Sequence, residues 1–520
     1  MGMVAPEQRI ASAFFVMFGK YGDVRRYAEE RGVCRQWIYR EAATLRNALA
    51  SAQQENEGLR EQLRRSQQQC AELETRLVQS VVLDAQKQEE VACVGQARGV
   101  TLRDCRELLE VLIPGQALSV AELGRRTQAA GKKAGELLAV LDEAARQKVR
   151  EAAADEIYVK DPVLMVVEPE SLCWLSGRLS DEVSGEAWAR EFAPLPNLEQ
   201  VMRDGGTGLA KGVALVNEQR QAEGKSLLTD QGDHFHALRH GSVGLNKAQR
   251  QASKALAQAE AAQKELDECA RQGQSRTGIA TRASHTWKKA EEALDTWQER
   301  EQLWQKTKQA LQLFTPDGAL NTRAQAEAVL AETLPQLPDS DFAKAKRQLQ
   351  QPEMLNYLDR VQEKIAALPF AEEVKQAAIR QEGLRRRPEA LQGENTKAAA
   401  LRGVLLLCAV VLSKAGDEGL QAATAVKDIF RRAYRASSLV ECLNSVLRMH
   451  QAGHRRMTQG LLDLKRLYWN CHTFSAGRRR KTTPYERLGV EWPPGLHWWE
   501  VLKLTPEQLR DKLSTTTMAV

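Results

Sequence analysis

Carboxylates hold hard divalent cations together with water and phosphate oxygens, so the segments that carry them in unusual company come first. Three segments qualify. DEIYV at 155–159 starts a β-rich run on Asp155, DGGTGLAKG at 204–212 ends a strand on Asp204 and follows it with two glycines, and VECLNSVLR at 440–448 sets Glu441 in a helix. Asn444, Ser445 and Arg448 stand at i+3, i+4 and i+7 from Glu441, on one helical face. Other carboxylates compete for the same chemistry: Glu168, Glu170, Asp181 and Glu182 with Asp155, and Asp230 and Asp233 with Asp204. His234 and His236, with His240 nearby, read as alternating on a strand, and imidazole suits borderline metals. Neither a cysteine nor a third ligand accompanies them at metal-site spacing, which argues against a metal centre of their own. Two basic runs, Arg385 to Arg387 and Arg478-Arg479-Arg480-Lys481, are either solvated faces or phosphate-binding patches.

These residues are far apart, so the elements between them must fold them together. Residues 8–45 read as a helix-turn-helix: Ile10, Phe14, Phe15 and Phe18 on a first helix, a second from Gly22 and Asp23, a turn at Gly32, and a third from Cys34 carrying Arg35, Gln36, Tyr39 and Arg40. The start of the last helix in this motif faces the DNA major groove. Leu45, Leu49, Ala52, Asn56, Leu59, Leu63, Ser66, Cys70, Leu73 and Leu77 then step 4-3-4-3 as a heptad seam, with Asn56 at an a position, where Asn favours a two-stranded parallel pair. Residues 100–150 are helical, with Ser119 and Glu122 as a capping box and a possible second helix-turn-helix formed with 134–141. Short runs at 157–159, 163–167 and 172–175 predict an antiparallel meander, followed by a helix at 186–192, a strand at 198–202, a helix at 209–222 and a strand at 226–229. From 246 to 400 the chain is rich in Ala, Gln, Glu and Lys and reads as all-α. Trp287, Leu294, Trp297, Trp304 and Leu311 form a packing stripe there, and helices return at 397–412 and 420–449.

The domain plan is therefore 1–45 helix-turn-helix, 46–90 coiled coil, 91–150 helical, 151–245 and 401–490 as two parts of one core, 246–400 an all-α insertion, and 491–520 a tail. The fold class is α+β, multidomain and mostly α. With 74 Lys+Arg against 68 Asp+Glu the chain carries +6, too little to argue for nucleic acid by itself. Nine scattered cysteines without a CxxC pair point to reduced thiols in the cytoplasm, and the apolar run 403–412 is about half a membrane span and reads as a buried helix.

The three carboxylate segments, together with QGLLDLKRLYWNCHTFSAGRRRKTTPYERLGV at 459–490, resemble the Asp-Asp-Glu transposases of bacterial insertion sequences. The resemblance covers roughly 150–240 and 400–490. It implies a ribonuclease-H-like mixed sheet interrupted by the helical insertion, with Asp155, Asp204 and Glu441 as catalytic metal ligands for two Mg²⁺ (or Mn²⁺) ions. It implies double-stranded DNA as partner, both element ends and target, and a homodimer or higher assembly, with no membrane and a place on the bacterial nucleoid. Two ions about 3.5–4 Å apart clamp the attacking and leaving oxygens of a phosphodiester. Gly205 and Gly206 leave room for a DNA backbone, Asn444 and Arg448 are expected on phosphate oxygens, the 478–481 run on flanking or target DNA, and the histidines in a structural or DNA-proximal role. Rival readings are a decayed transposase that only binds DNA as a regulator, and a structure-specific nuclease that cuts without joining.

Overall fold

Gly22 (φ 93) and Gly32 (φ 63) take the left-handed backbone that L side chains avoid, and between them they bracket a short helix. In the computed structural model, which describes residues 5–79, 83–392, 395–453 and 457–517, these turns separate α1 (Pro6–Phe18), α2 (Asp23–Arg31) and α3 (Arg35–Gln79). Phe15 stacks on Tyr27 at 4.6 Å, and Tyr27, Ala28 and Ile38 form the small core. Arg9 Nε donates to Glu41 at 2.9 Å and ties α1 along α3. No break falls at 45: the third helix of the motif continues as the seam helix, 45 residues in all. Leu49, Leu59, Leu63 and Leu73 on the seam are each more than half exposed. The Leu77 side chain lies outside the described residues. This unit ends at Asp84, and Ala85–Val520 form a second one.

The second unit opens with α4 (Ala85–Arg98), α5 (Leu102–Leu112) and α6 (Val120–Arg146). Ser119 caps α6 by accepting from Glu122 N at 3.2 Å. Residues 120–123 and 134–141 lie on this one uninterrupted helix, with no turn between them. Then come β1 (Glu151–Val159), β2 (Asp161–Val167), β3 (Trp174–Leu179), α7 (Gly185–Phe192), β4 (Gln200–Arg203), α8 (Thr207–Ala222) and β5 (Thr229–Gly232). The strands form one mixed sheet in the order β3-β2-β1-β4-β5. The first three are an antiparallel meander, as the sequence predicts, and β4 and β5 join β1 in parallel. Alternation along β1 splits its side chains between two apolar layers. Ala152 and Ala154 pack with Trp188, Phe192, Leu209 and Val213 of α7 and α8. Ala153, Ile157 and Val159 face the opposite layer.

Beyond β5, α9 (His234–Arg271) and α10 (Thr277–Ala310) form a long hairpin, followed by α11 (Arg323–Thr333), α12 (Asp339–Leu349), α13 (Asn356–Ala366), α14 (Glu372–Arg385) and α15 (Pro388–Leu391). His234 and His236 are therefore on a helix, not on a strand. Trp304 and Leu311 of the aromatic stripe are buried in the core of this helical layer. The next helices, α16 (Thr396–Lys414) and α17 (Gly416–Arg431), contribute Cys408, Leu412, Val426 and Phe430 to that same core, so the helical layer extends past 400. α16 is long and apolar enough to cross a membrane by composition. It is not wholly buried as its apolar run suggests, since Leu406 and Leu407 face outward. The expected helix over 420–449 breaks at 432–439, and α18 (Val440–Gly453) then lays Val440, Leu443 and Leu447 on the sheet beside Ala153 and Ile157. Four helices close the chain: α19 (Gln459–Cys471), α20 (Pro484–Leu488), α21 (Trp498–Lys503) and α22 (Pro506–Thr517). α19 crosses α6 where two glycines meet; a Cβ on Gly131 would lie 2.5 Å from the Gly460 carbonyl oxygen. The protein is thus mostly helical around a small mixed sheet.

Candidate active site

β1 and β4 run parallel with Ala154 paired to Arg203, so the next residues are Asp155, still inside β1, and Asp204, just past the end of β4. Neighbouring strands lie about 4.8 Å apart, which brings together two carboxylates that are distant in sequence. Asp155 does not open its strand. It is the fifth residue of β1 and is buried, on the face that α18 covers. Asp204 sits just past β4, where its Oδ1 accepts from Gly206 N at 2.8 Å and shapes the turn into α8. Glu441 is in the first turn of α18 and joins the same electrostatic cluster.

Two carboxyls here, Asp155 and Glu156, resist ionisation. Burial first, then the charges of Asp204 and Glu441, push the Asp155 carboxyl up to about 6, although His236 pulls the other way. Glu156 points to the opposite face of β1 by strand alternation, yet its Oε1 lies 3.7 Å from where a Cβ on Gly206 would stand. Burial and the charges of Asp204 and Asp155 raise it to about 7. Asn444 is buried one turn beyond Glu441, donates Nδ2–H to Asp155 Oδ2 at 2.9 Å, and has an Oδ1 with no hydrogen-bond partner among the described residues. Asn444 therefore positions the Asp155 carboxylate. Arg448 likewise pairs with Glu441 Oε2 at 2.8 Å, so its guanidinium neutralises the third carboxylate. Among the described residues no three His, Cys, Asp or Glu side chains form a closed ligand set. The donors gathered here are all oxygens with an excess of negative charge, the chemistry that suits a hard cation such as Mg²⁺.

The rival carboxylates are otherwise engaged. Glu168 caps the turn before β3 by accepting from Ser171 N at 2.7 Å and Glu170 N at 3.1 Å. Glu170 pairs with Arg431 at 3.2 Å, and Glu182 is 3.7 Å from Arg190. Asp181 is exposed. Asp230 takes a bidentate pair from Arg203, both contacts at 2.7 Å. Asp233 is the N-cap of α9; it accepts from Phe235 N at 2.7 Å, His236 Nδ1 at 2.5 Å and Ser437 Oγ at 2.7 Å. That last bond ties the segment entering α18 to the start of α9. His236, held by Asp233 and lifted above its usual range first by that bond, also feels Asp155 and Asp204. His234 is instead buried, with Nε2 2.7 Å from the Met354 carbonyl.

The remaining site residues separate. Arg35, Gln36, Tyr39 and Arg40 are all exposed at the start of α3, on a unit of their own. In the basic run, the Arg478 side chain lies outside the described residues. Arg479 turns inward to the carbonyls of Glu170 (3.2 Å) and Pro169 (3.4 Å), which leaves Arg480 and Lys481 exposed. The WN and PYE segments are a clamp: Asn470 accepts from Trp174 N at 2.8 Å, donates to Trp174 O at 2.9 Å and to the Tyr485 hydroxyl at 3.2 Å. Sequence reasoning missed Glu156 and the link from His236 to the carboxylates; the adjacency of Asp155 and Glu156 was the available signal for the first. No family model matches the chain, and neither a curated protein nor a solved structure is significantly similar to it.

Proposed function

We propose that the protein is a DNA transposase of the Asp-Asp-Glu type, with a ribonuclease-H-like core into which the α9–α17 layer is inserted. The observation that carries this reading is the cluster itself: an aspartate inside β1, a second just past the end of the adjacent parallel strand β4, and a glutamate from a helix packed across the same face. Asp155, Asp204 and Glu441 would hold two Mg²⁺ or Mn²⁺ ions, which when bound polarise the scissile phosphate and the attacking oxygen. Asn444 fixes the rotamer of Asp155 through its amide. Arg448 keeps Glu441 oriented and balances its charge until DNA and cations arrive. Arg35, Gln36, Tyr39 and Arg40 read element ends in the major groove, and the exposed α3 seam pairs two copies. Cleavage frees a 3′-hydroxyl at the element end, and that hydroxyl attacks the target phosphodiester, with one P–O bond formed for each broken.

The test uses the full chain, the DNA that flanks its gene as labelled end fragments, a target plasmid and Mg²⁺ or Mn²⁺. Nicked ends and joined product are expected. Asp155→Asn, Asp204→Asn and Glu441→Gln are each expected to abolish both products while leaving end binding intact. Binding without cleavage in the parent protein points to a regulator, and cleavage without joining to a nuclease.

A further inference from the structure

The helical layer reaches the carboxylates. α9 and α12 run antiparallel: the N-terminal His234 of α9 meets Met354, just beyond the C-terminus of α12, whereas Gly244 meets Asp341 near its start. A Cβ on Gly244 would lie 2.6 Å from the Asp341 carbonyl oxygen. Lys247 and Arg300 neutralise the Asp341 carboxylate at this crossing, at 2.6 and 3.1 Å. One turn on, His240 of α9 lies in the field of Lys344 of α12; burial first, then Lys344, His236 and Arg239, hold its imidazole below the usual range. By the helical period, a further turn along both helices brings His236 level with Gln348. Gln348 continues to the catalytic loop, its Nε2 3.5 Å from where a Cβ on Gly205 would stand, and its Oε1 is buried without a hydrogen-bond partner among the described residues.

Four side chains thus form a continuous row, His240 and His236 on one helix and Lys344 and Gln348 on the other, each pair one turn apart. The row consists of hydrogen-bonding and cationic groups, Lys344 is exposed, and it ends on Asp204–Gly205. A lysine followed by hydrogen-bonding groups that lead into an anionic cluster suits a polyanion whose reacting phosphate sits at the cluster while its neighbours lie along the row. We propose that this α9–α12 row is one wall of the DNA channel, with Lys344 holding a backbone phosphate next to the scissile one and Gln348 contacting the strand at the Asp204 turn. The proposal rests on the reading of DNA as substrate, and it makes the helical layer part of the active site.

The experiment measures Kd for a random-sequence duplex of about 30 base pairs across a salt series, with the full chain. Lys344→Gln is expected to lower the slope of log Kd against log salt by about 0.9, the value for one lost phosphate contact. Lys247→Gln, on the same pair of helices but paired to Asp341, should leave the slope unchanged. Gln348→Ala removes no charge, so it should slow single-turnover cleavage of the end fragment several-fold at an unaltered slope. An unmoved slope in Lys344→Gln overturns the channel wall. If the parent protein cleaves no DNA, the transposase reading falls, and the Lys344 slope still decides whether DNA lies on this row.

Discussion

Asp155 occupies a place where a charged carboxylate is costly. Its folded-state carboxyl titrates near 6 instead of 3.8, so between these values the native state binds more protons than the unfolded chain. Stability then falls as pH rises through that window and stays lower above it. Asp155→Asn removes the cost without changing shape. The variant should match the parent near pH 4 and exceed it by about 1–3 kcal/mol at pH 7.5 in urea unfolding. Equal stability at both pH values would mean that the charge is better compensated than its neighbours suggest. Asp155, Asp204 and Glu441 were legible in the sequence because each stands in a segment with distinctive neighbours. Glu156, His236 and Gln348 were not, because their position depends on strand alternation and on the register between α9 and α12, which no local pattern encodes. The helix face of Asn444 and Arg448 was legible from spacing, whereas their contacts with Asp155 and Glu441 were not, since spacing does not tell which group a face meets.

Among the elements, the clearest successes and failures have the same cause. The three N-terminal helices were legible because Gly22, Gly32 and the 4-3 repeat are local signals. The first half of β1 was not: Glu151-Ala-Ala-Ala-Asp-Glu has no β propensity to speak of, and it becomes a strand because Ala152, Ala153 and Ala154 are small enough to sit, fully buried, between two helical layers. The break at 432–439 was hidden for a similar reason, since its backbone is claimed by distant groups: Arg435 O accepts from His234 N at 2.9 Å, and Ser437 Oγ donates to Asp233. The α6–α19 crossing gives a sharp prediction. Gly131→Ala drives a methyl against the Gly460 carbonyl and should cost about 1–3 kcal/mol. Gly460→Ala, whose nearest neighbour would be 3.4 Å away, should be close to neutral or gain up to about 1 kcal/mol from helix propensity. Thermal melting of the two variants separates them, and equal effects would show that the crossing is slack.

At the scale of the whole molecule, the chain divides into two compact units. One unit presents Arg35, Gln36, Tyr39 and Arg40 and an exposed apolar seam, all on α3. The other holds the carboxylates. Asn56→Leu tests the seam: with the polar a position gone, the 1–84 unit should melt higher while its oligomeric state becomes mixed, as sedimentation would report. A parent unit that sediments as a monomer at high micromolar concentration excludes pairing through α3. The sheet of the second unit has both of its edges covered. Gln459 lies along β3, accepting from Leu179 N at 3.0 Å and donating to Gly177 O at 2.9 Å, and Asn470 does the same at Trp174. At the other edge Asn356 donates to Asp230 O at 2.6 Å, and Tyr357 N to Gln231 Oε1 at 2.7 Å. All the covering residues follow the strands in the chain, by more than a hundred positions at β5 and by almost three hundred at β3. A ribosome therefore releases the whole sheet long before it releases what seals it, and for that interval the nascent chain displays two open strand edges. Fragments that stop before 459 should aggregate where the complete chain does not, and synthesis of the complete chain should depend on chaperones that hold such edges apart.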